Sequence, residues 1–257
     1  MYHGPIQIHL MSNSQAAATD ASVRRAMRTQ LLKETFMQYS EELIIKTALD
    51  AYTNGVANIK LEKEKSALLV IDMQDEFVKP GWASTWIPEA TRQVPRIKKM
   101  IEKCRENSIP VIYTVFSNTH SYFDRPRFGN EMPIQYQNLG SNPEWFRNGD
   151  IWEELKPQKD EIVIHKPSYG AFYDTPLETI LKHMGKDTII ISGTLTNCCC
   201  GTTARQGYER GYKVIFGSDI TSTYTKEMQE AEMGILRLAF AKVQSSIEII
   251  NEIEKID

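Results

Sequence analysis

The stretch ALLVID at 67–72 decides the fold, because it is a continuous apolar run that ends on an acid. Four further strand-like runs follow it along the chain, at 110–116, 161–166, 188–194 and 212–219. Helical patterns separate most of these runs, at 91–107, 175–184, 199–210 and 225–241. Continuous apolar strands with helices between them are typical of a parallel sheet that is covered on both faces. The sequence therefore predicts an α/β fold, with a doubly wound, mainly parallel sheet and helices on both faces.

The residues before this pattern form a region of a different kind. Residues 1–63 are polar and contain one long helical pattern over 20–53. Asp20 can cap the start of this helix, and Asn54-Gly55 can end it. We therefore predict two parts, an N-terminal extension with a helical arm at 1–63 and one domain at 64–257.

The predicted arm carries an apolar stripe that consists of Val23, Met27, Leu31, Phe36, Leu43 and Ile44. A helix with such a stripe is not stable alone in water and packs against another surface. Terminal arms commonly lock symmetric assemblies. We expect a homodimer or homotetramer in which the arm packs partly on a neighbouring chain; the alternative is an arm packed on its own chain.

Charge and cysteine content bear on several other classes of protein. A net charge of −3 over 257 residues does not predict nucleic-acid binding. No run of about 18 apolar residues is present, and the start of the chain lacks a secretory signal pattern, so no membrane partner is expected. Three of the four cysteines are consecutive at 198–200, which is not a disulfide framework. The sequence predicts a reduced, cytoplasmic protein.

Polar and charged residues follow the predicted strands at the edge where such sheets bind ligands. Ligands of open parallel sheets lie outside the carboxyl ends of the strands. Asp72, Asn118, Lys166 and the segment 193–199 all come at or just after those ends. The long connection 118–149 holds several aromatic residues, and a connection of this length is often functional. We expect it to form a wall of a pocket at this edge.

Cys199 is the candidate nucleophile. Its segment leads from an apolar strand through a turn of small residues into a helix, and a helix start lowers the pKa of a thiol. Unpaired amides of the same turn can stabilise an oxyanion. The alternative is a small buried core residue, as free cysteines often are. Adjacent cysteines do not have the spacing of a zinc site, so we predict no metal and no cofactor.

Asp72 and Lys166 are the candidate partners of that thiol. An acid at the end of an apolar strand is costly unless it is hydrogen-bonded or paired with a cation, and a lysine that ends another strand can supply the charge. Beside a thiol, the carboxylate can act as general base and then return the proton to a leaving amine. The alternative is an ion pair with a purely structural role.

Three segments resemble the isochorismatase-like cysteine hydrolases, and they occur in that family's order. They are ALLVIDMQDEFVKPG at 67–81, HKPSYGAFYDTPLETIL at 165–181 and GTLTNCCCGTTARQGYERGYKV at 193–214. The final helix and strand entry at 220–243 also match, so that the likeness covers about residues 66–250. The spacing from Thr196-Asn197 singles out the middle cysteine of the three.

The resemblance implies a catalytic triad of Asp72, Lys166 and Cys199. It also implies a cis peptide between Thr194 and Leu195, which turns the amides of Leu195 and Cys199 toward the substrate carbonyl as an oxyanion hole. Enzymes of the family that act on isochorismate itself lack the cysteine, so Cys199 is evidence against that reaction.

The sequence departs from the family pattern in three places. Gly170 stands where serine is usual, and Gly201 stands where an acid is common. The Asp-x-His metal site of nicotinamidases is missing, since His120 is the only histidine in that region. These departures are evidence against nicotinamide as the substrate and against a metal.

Position along the chain also suggests which residues contact the substrate. Gln74 and Phe77 follow Asp72, Asn118 follows the second strand, and Tyr169 follows Lys166. Amide side chains can hydrogen-bond an amide or ureido group, and aromatic rings can cover its flat face. Each also has an ordinary interpretation as a polar loop residue or a core aromatic.

We therefore predict a cysteine-dependent hydrolase that cleaves a C–N bond of a small amide or ureido compound through a covalent thioester. Three alternatives are a nicotinamidase-type amidase, a non-catalytic binder of small molecules with the same fold, and a thiol redox sensor that uses residues 198–200.

Overall fold

A computed structural model describes residues 22–29, 39–117 and 149–255 of the chain. Internal contacts divide the chain into two compact units, Met1–Asp50 and Ala51–Asp257. The second unit contains the sheet and all the candidate residues for chemistry.

The sheet has six strands, and every pairing between neighbours is parallel. The strands are β1 Ser66–Ile71, β2 Val111–Phe116, β3 Ile162–Lys166, β4 Thr188–Thr194, β5 Lys213–Ser222 and β6 Lys242–Gln244, in the order β3-β2-β1-β4-β5-β6. The five predicted strands are confirmed. The sixth was missed because its three residues, KVQ, are too few and too polar to stand out as an apolar run.

Helices cover both faces of this sheet, as predicted. The described helices are α1 at 22–29, α2 Glu41–Asn54, α3 Asp75–Val78, α4 Pro88–Glu106, α5 Leu177–His183, α6 Gly201–Glu209, α7 Lys226–Ala239 and α8 Ser246–Glu254. Of these, α3 to α8 contribute to the two core layers that cover the sheet. Among these described helices, none combines the length and the apolar character that crossing a bilayer requires.

Strand β1 shows how the two core layers form. Successive strand side chains point to opposite faces of a sheet. Leu68 and Val70 pack in one layer with apolar residues of α4 and α8. Leu69 and Ile71 pack in the other layer with residues of α5, α6 and α7. Both faces of β1 are therefore buried, and this accounts for its continuous apolar run.

The prediction of one helix over 20–53 is wrong. Residues 39 and 40 are not helical, and α2 begins after them. The hydroxyl of Ser40 accepts a hydrogen bond from the Leu43 amide at 3.2 Å, so this serine starts a new helix where the pattern had suggested continuation. The end of α2 at Asn54 is as predicted. Asp20, Leu31 and Phe36 lie outside the described residues.

The described members of the predicted stripe are exposed within the single chain. Val23, Met27, Leu43 and Ile44 leave between 47% and 66% of their surface accessible.

Candidate active site

Asp72 and Lys166 meet in the interior at the carboxyl edge of the sheet. Asp72 follows β1 and Lys166 ends β3, with β2 between the two strands. The Lys166 Nζ atom lies 2.7 Å from Asp72 Oδ2, and both side chains are completely buried. Nζ also donates a hydrogen bond to the carbonyl of Ser168 at 2.9 Å. The two residues of the ion pair thus come from the ends of β1 and β3, which are not neighbours in the sheet.

Strand β2 fixes the orientation of the carboxylate. Asp72 has a φ of 52°, a left-handed conformation that aspartate tolerates better than most residues, and this conformation ends the strand. Its amide donates to the Thr114 carbonyl at 3.1 Å, while the Thr114 hydroxyl donates to Oδ1 at 2.8 Å. Because Oδ1 is held by this hydroxyl, Oδ2 is the oxygen that faces Lys166.

Cys199 completes the buried cluster. It lies in a π-helical turn, Thr196–Cys200, between β4 and α6, and its thiol interacts with both Asp72 and Lys166. Burial first and the negative charge of Asp72 second raise the pKa of the Cys199 thiol well above its usual value; Lys166 acts in the opposite direction. Burial acts to lower the pKa of Lys166. The interactions of the lysine with Asp72 and Cys199 outweigh burial, so its pKa is raised.

The two shifts favour a neutral Cys199 thiol beside a protonated Lys166. The sequence led us to expect a lowered pKa for this thiol, whereas its burial and the neighbouring Asp72 raise the pKa in the structure. A neutral thiol could act as a nucleophile only if a base removed its proton, and the Asp72 carboxylate is a candidate base within the cluster.

The peptide bond between Thr194 and Leu195 is cis, as the resemblance implied. The Leu195 carbonyl accepts hydrogen bonds from the amides of Cys198, at 3.1 Å, and Cys200, at 3.0 Å. The Thr203 hydroxyl donates to the Cys199 carbonyl at 2.6 Å, which ties the turn to α6. These bonds close the turn around the cysteine.

The three adjacent cysteines have different surroundings. Cys198 is half-buried, whereas Cys200 is fully buried in the core layer formed with α5 to α7. Of the three thiols, Cys199 is the one whose pKa Asp72 raises most strongly after burial. All four cysteines of the chain are free thiols.

Gln74 and Phe77, two predicted substrate contacts, are buried in this structure. The Gln74 amide is completely buried, and its Oε1 accepts the Phe116 amide at 2.7 Å. Its Nε2 donates to the carbonyls of Phe116 at 3.2 Å and Gly149 at 3.3 Å. Phe77 packs in the core layer with α4. Both side chains are thus engaged with the protein, and Gln74 joins the end of β2 to the segment that starts at Gly149.

An aromatic pair that includes Tyr169 borders the cluster. Tyr169 is 42% exposed, and its ring stacks parallel to Phe116 with centroids 6.0 Å apart. The Lys166 Nζ atom lies 4.9 Å from the centroid of the same Phe116 ring. Phe116 was missed from the sequence, although its place as the last residue of β2 was a usable signal. Asn118 and His120 lie outside the described residues.

The two glycines that depart from the family pattern make room for polar side chains of this protein. A Cβ atom on Gly170 would lie 2.2 Å from Gln206 Oε1, which accepts the Phe172 amide at 3.1 Å. A Cβ atom on Gly201 would lie 2.2 Å from a carboxylate oxygen of Glu232. That carboxylate forms an ion pair with Arg205. In the parts of the chain that the structure describes, no group of three or more His, Cys, Asp or Glu side chains is arranged to hold a metal ion.

Comparison with known proteins gives consistent matches over the sheet-containing region. The family model for the isochorismatase domain matches residues 66–248. Nicotinamidase 3 of Arabidopsis thaliana is 33% identical over 189 residues, which cover 68% of this chain and 82% of that protein. An ureidoacrylate amidohydrolase of Methylobacterium radiotolerans is 27% identical over 178 residues, 63% of this chain and 69% of its own length.

A solved structure has the same architecture. The crystal structure of a cysteine hydrolase from Pseudomonas syringae pv. phaseolicola matches with a TM-score of 0.69 and 28% sequence identity. The match covers 79% of this chain and 98% of that one. The family model leaves residues 1–65 and 249–257 of the chain unmatched.

Proposed function

The chain belongs to the isochorismatase family of hydrolases, and we propose that it is a cysteine-dependent hydrolase that cleaves a C–N bond of a small amide or ureido compound. The observation that carries this proposal is the buried ion pair of Asp72 and Lys166 beside the thiol of Cys199. Burying two charges is expensive, and such a pair is weak as a stabilising device. A role in chemistry explains why the interior retains it.

In the proposed first half-reaction, Cys199 Sγ attacks the carbonyl carbon of the substrate and the thiol proton passes to Asp72. The raised pKa of the thiol supports this order, because the proton is still on sulfur when the substrate binds. The oxyanion that forms accepts hydrogen bonds from the amides of Leu195 and Cys199. The C–N bond then breaks, and Asp72 returns the proton to the leaving nitrogen.

In the second half-reaction, water attacks the thioester carbonyl and gives a proton to Asp72. The C–S bond breaks, the acid product leaves, and the proton returns to Cys199. Lys166 stays protonated throughout and stabilises whichever neighbour is anionic, carboxylate or thiolate. Its raised pKa, due to both neighbours, supports this constant charge.

Tyr169 and Phe116 are the described residues best placed to cover a flat substrate. Their rings are parallel, the Phe116 ring adjoins the lysine, and Tyr169 is partly exposed. An amide or ureido group is planar and fits against such a face. We propose that Asn118 hydrogen-bonds the substrate and that Gln74 and Phe77 support the wall from behind.

Nicotinamide is a second candidate substrate. The observation that favours it is the 33% identity to a plant nicotinamidase. The pyridine ring is flat and could stack on Tyr169. The missing Asp-x-His pair in the sequence is evidence against it, so we rank it below simple amides and ureido compounds.

We also propose that residues 64–257 form the hydrolase domain and that the protein acts in the cytoplasm. The second proposal rests on thiol chemistry: all four cysteines are free, and the mechanism needs a reduced Cys199.

An ammonia-release screen over amides, ureido compounds, carbamoyl compounds and nicotinamide tests the function. We expect release from at least one class, and we expect Cys199→Ala to lower kcat by about four orders of magnitude or more, as is usual for loss of a nucleophile. Mass spectrometry of the quenched enzyme should find an acyl group on the peptide that carries Cys199.

Cys198→Ala is the matched control, because it removes the adjacent half-buried thiol. It should retain kcat within about threefold, since most substitutions away from the reacting atoms have small effects. Equal losses in both variants would move the nucleophile away from Cys199. Full activity in Cys199→Ala would overturn the mechanism.

A further inference from the structure

Helix α7 holds the turn that contains Cys199. The Gln229 side chain accepts a hydrogen bond from the Thr196 hydroxyl at 2.7 Å. It also donates hydrogen bonds to the carbonyls of Ser218 at 3.2 Å and Thr221 at 2.9 Å. One turn further along α7, the Glu232 carboxylate pairs with Arg205 and fills the space beside Gly201. Two residues of one helix thus contact the start and the end of the nucleophile turn.

The opposite side of α7 carries a different contact. At 100° per residue, Ala231 and Gly234 lie on the side of the helix away from Gln229 and Glu232. The ring of Tyr52 packs directly on Gly234, where an added Cβ atom would lie 2.1 Å from the ring carbon Cζ. Helix α7 therefore lies between the nucleophile turn and a tyrosine from the N-terminal extension.

Polar contacts fix the position of this tyrosine along the helix. The Tyr52 hydroxyl donates to the Ala231 carbonyl at 3.3 Å. The Arg237 guanidinium donates to the Tyr52 carbonyl at 2.9 Å. Together with the ring on Gly234, these bonds contact α7 over about two turns and restrain both its rotation and its sliding. All of these residues belong to the unit Ala51–Asp257.

We infer that Tyr52 is a positioning residue for the active site: it presses α7 onto the nucleophile turn from behind, so that Gln229 and Glu232 keep Cys199 beside Asp72 and Lys166. Tyr52 precedes the region that matches the family model, which begins at residue 66. The extension thus contributes to the geometry of a site whose own residues are all in the family domain. The catalytic consequence rests on the proposed function, but the effect on the turn does not.

Hydrogen exchange of the full-length protein tests the effect on the turn without a substrate. We expect Tyr52→Ala to raise the exchange rate of the amides in 196–200 by roughly tenfold, because local opening becomes easier when the packing and hydrogen bond are lost. Gly234→Ala should do the same, since its methyl group displaces the ring. Alanine is the better helix former, so a purely local effect on α7 would lower exchange instead.

Two variants serve as controls. Tyr52→Phe keeps the ring on Gly234 and should recover most of the protection. Tyr39→Ala removes a tyrosine from the same extension that is 64% exposed, and exchange at 196–200 should not change. Protection of this turn that stays at the wild-type level in both Tyr52→Ala and Gly234→Ala would overturn the inference.

The rate constant of the enzyme adds the catalytic readout. With active sites counted by titration of Cys199, Tyr52→Ala should lower kcat about fivefold and leave KM within twofold, because the nucleophile moves and the aromatic wall does not. A lower melting temperature with an unchanged kcat per titrated site would show a merely structural role. If the wild-type enzyme has no amidase activity, the proposed function fails while the exchange result still decides the role of Tyr52.

Discussion

Two regions of the molecule depart from the usual rule that charged side chains are exposed and apolar ones are buried. The cluster of Asp72, Lys166 and Cys199 is polar and buried, whereas the N-terminal helices are partly apolar and exposed. The cluster places two charges and a thiol in the interior, at a distance of 2.7 Å between the charged atoms. Helices α1 and α2 leave large apolar side chains on the surface, Ile45 and Leu49 among them. Buried polar groups and exposed apolar surface are the informative exceptions in a folded protein.

The difference shows where each region obtains its stability. The cluster is satisfied within its own domain, by charge pairing and by the hydroxyl of Thr114. The apolar face of α2 has no such internal compensation among the described residues, and contact with a second surface would supply it. Substitutions in the cluster should therefore act on one chain, whereas substitutions on α2 should act on an assembly.

The largest effect on stability should follow from Lys166→Met. This change leaves the carboxylate of Asp72 buried without its cation, and the loss of one partner of a buried pair costs about 3–5 kcal/mol. The double variant Asp72→Asn, Lys166→Met should regain most of the loss, because no charge then remains in the interior. Urea unfolding of the three proteins measures both steps.

Lys182→Met is the matched control on the surface. Lys182 pairs with Glu178 one turn earlier in α5, and its side chain is 67% exposed. Exposed pairs contribute little, so the free energy of unfolding should change by less than about 1 kcal/mol. Similar losses for both lysines would contradict the distinction between the two environments.

A smaller effect should appear as alkaline sensitivity of the core layer that contains α4. Burial raises the pKa of Cys104, on α4, to about 12 in the folded protein. The unfolded chain has the ordinary value near 9, so the folded state favours the neutral thiol. That contribution is fully present below pH 9 and is lost as the pH rises toward 12. At pH 10.5 the loss should be roughly 2 kcal/mol.

Cys104→Ala isolates this contribution. The variant should unfold more easily at pH 7, because it loses buried sulfur, but its stability should fall less steeply between pH 8.5 and 10.5. Other buried groups titrate in both proteins and cancel in the difference. Met27→Ala, on the exposed arm, should keep the slope of the wild-type protein. Identical slopes for Cys104→Ala and the wild-type protein would show that Cys104 does not ionise on unfolding.

The order of strands and helices in the sheet domain was predictable because its signals are periodic and local. The five apolar runs became five parallel strands, and both faces were covered. The 20–53 helix was wrong because apolar spacing continued through a point where the Ser40 hydroxyl caps a new helix instead. A single capping hydrogen bond thus outweighed the pattern.

The candidate site was only partly predictable for a different reason. Asp72, Lys166 and Cys199 could be named because each lies at or just after the end of a strand and because the segments around them resemble one family. The state of the thiol depends on burial, which no local pattern gives. Gln74 follows Asp72 closely in sequence, yet its amide joins β2 to residue 149. The contact between the Phe116 ring and Lys166 forms only when β2 and β3 pair in the folded sheet.

Substitutions on the apolar face of α2 should have the smallest effect on a single chain. They test the role of the exposed N-terminal helices. We predict a homodimer or homotetramer in which the arm packs partly on a neighbouring chain. Ile45 and Leu49 lie one turn apart on one side of α2 and are 51% and 60% exposed. Replacing either by Glu should change the stability of the isolated chain by no more than about 0.5 kcal/mol, since neither is buried there.

The same substitutions should nevertheless shift the assembly toward the monomer of 29.4 kDa, because a charge on an apolar contact must be desolvated when chains associate. Mass in solution, measured over a range of protein concentrations, separates the two effects. Thr47→Glu adds the same charge one turn from Leu43, on the other side of α2. A mass that changes with Ile45→Glu but not with Thr47→Glu would assign the contact to the Ile45 side. Deletion of residues 1–50 removes the arm but keeps Tyr52, and it should give the same monomer with wild-type protection of the nucleophile turn. An oligomer that survives Ile45→Glu, Leu49→Glu and this deletion would show that the arm does not hold the chains together.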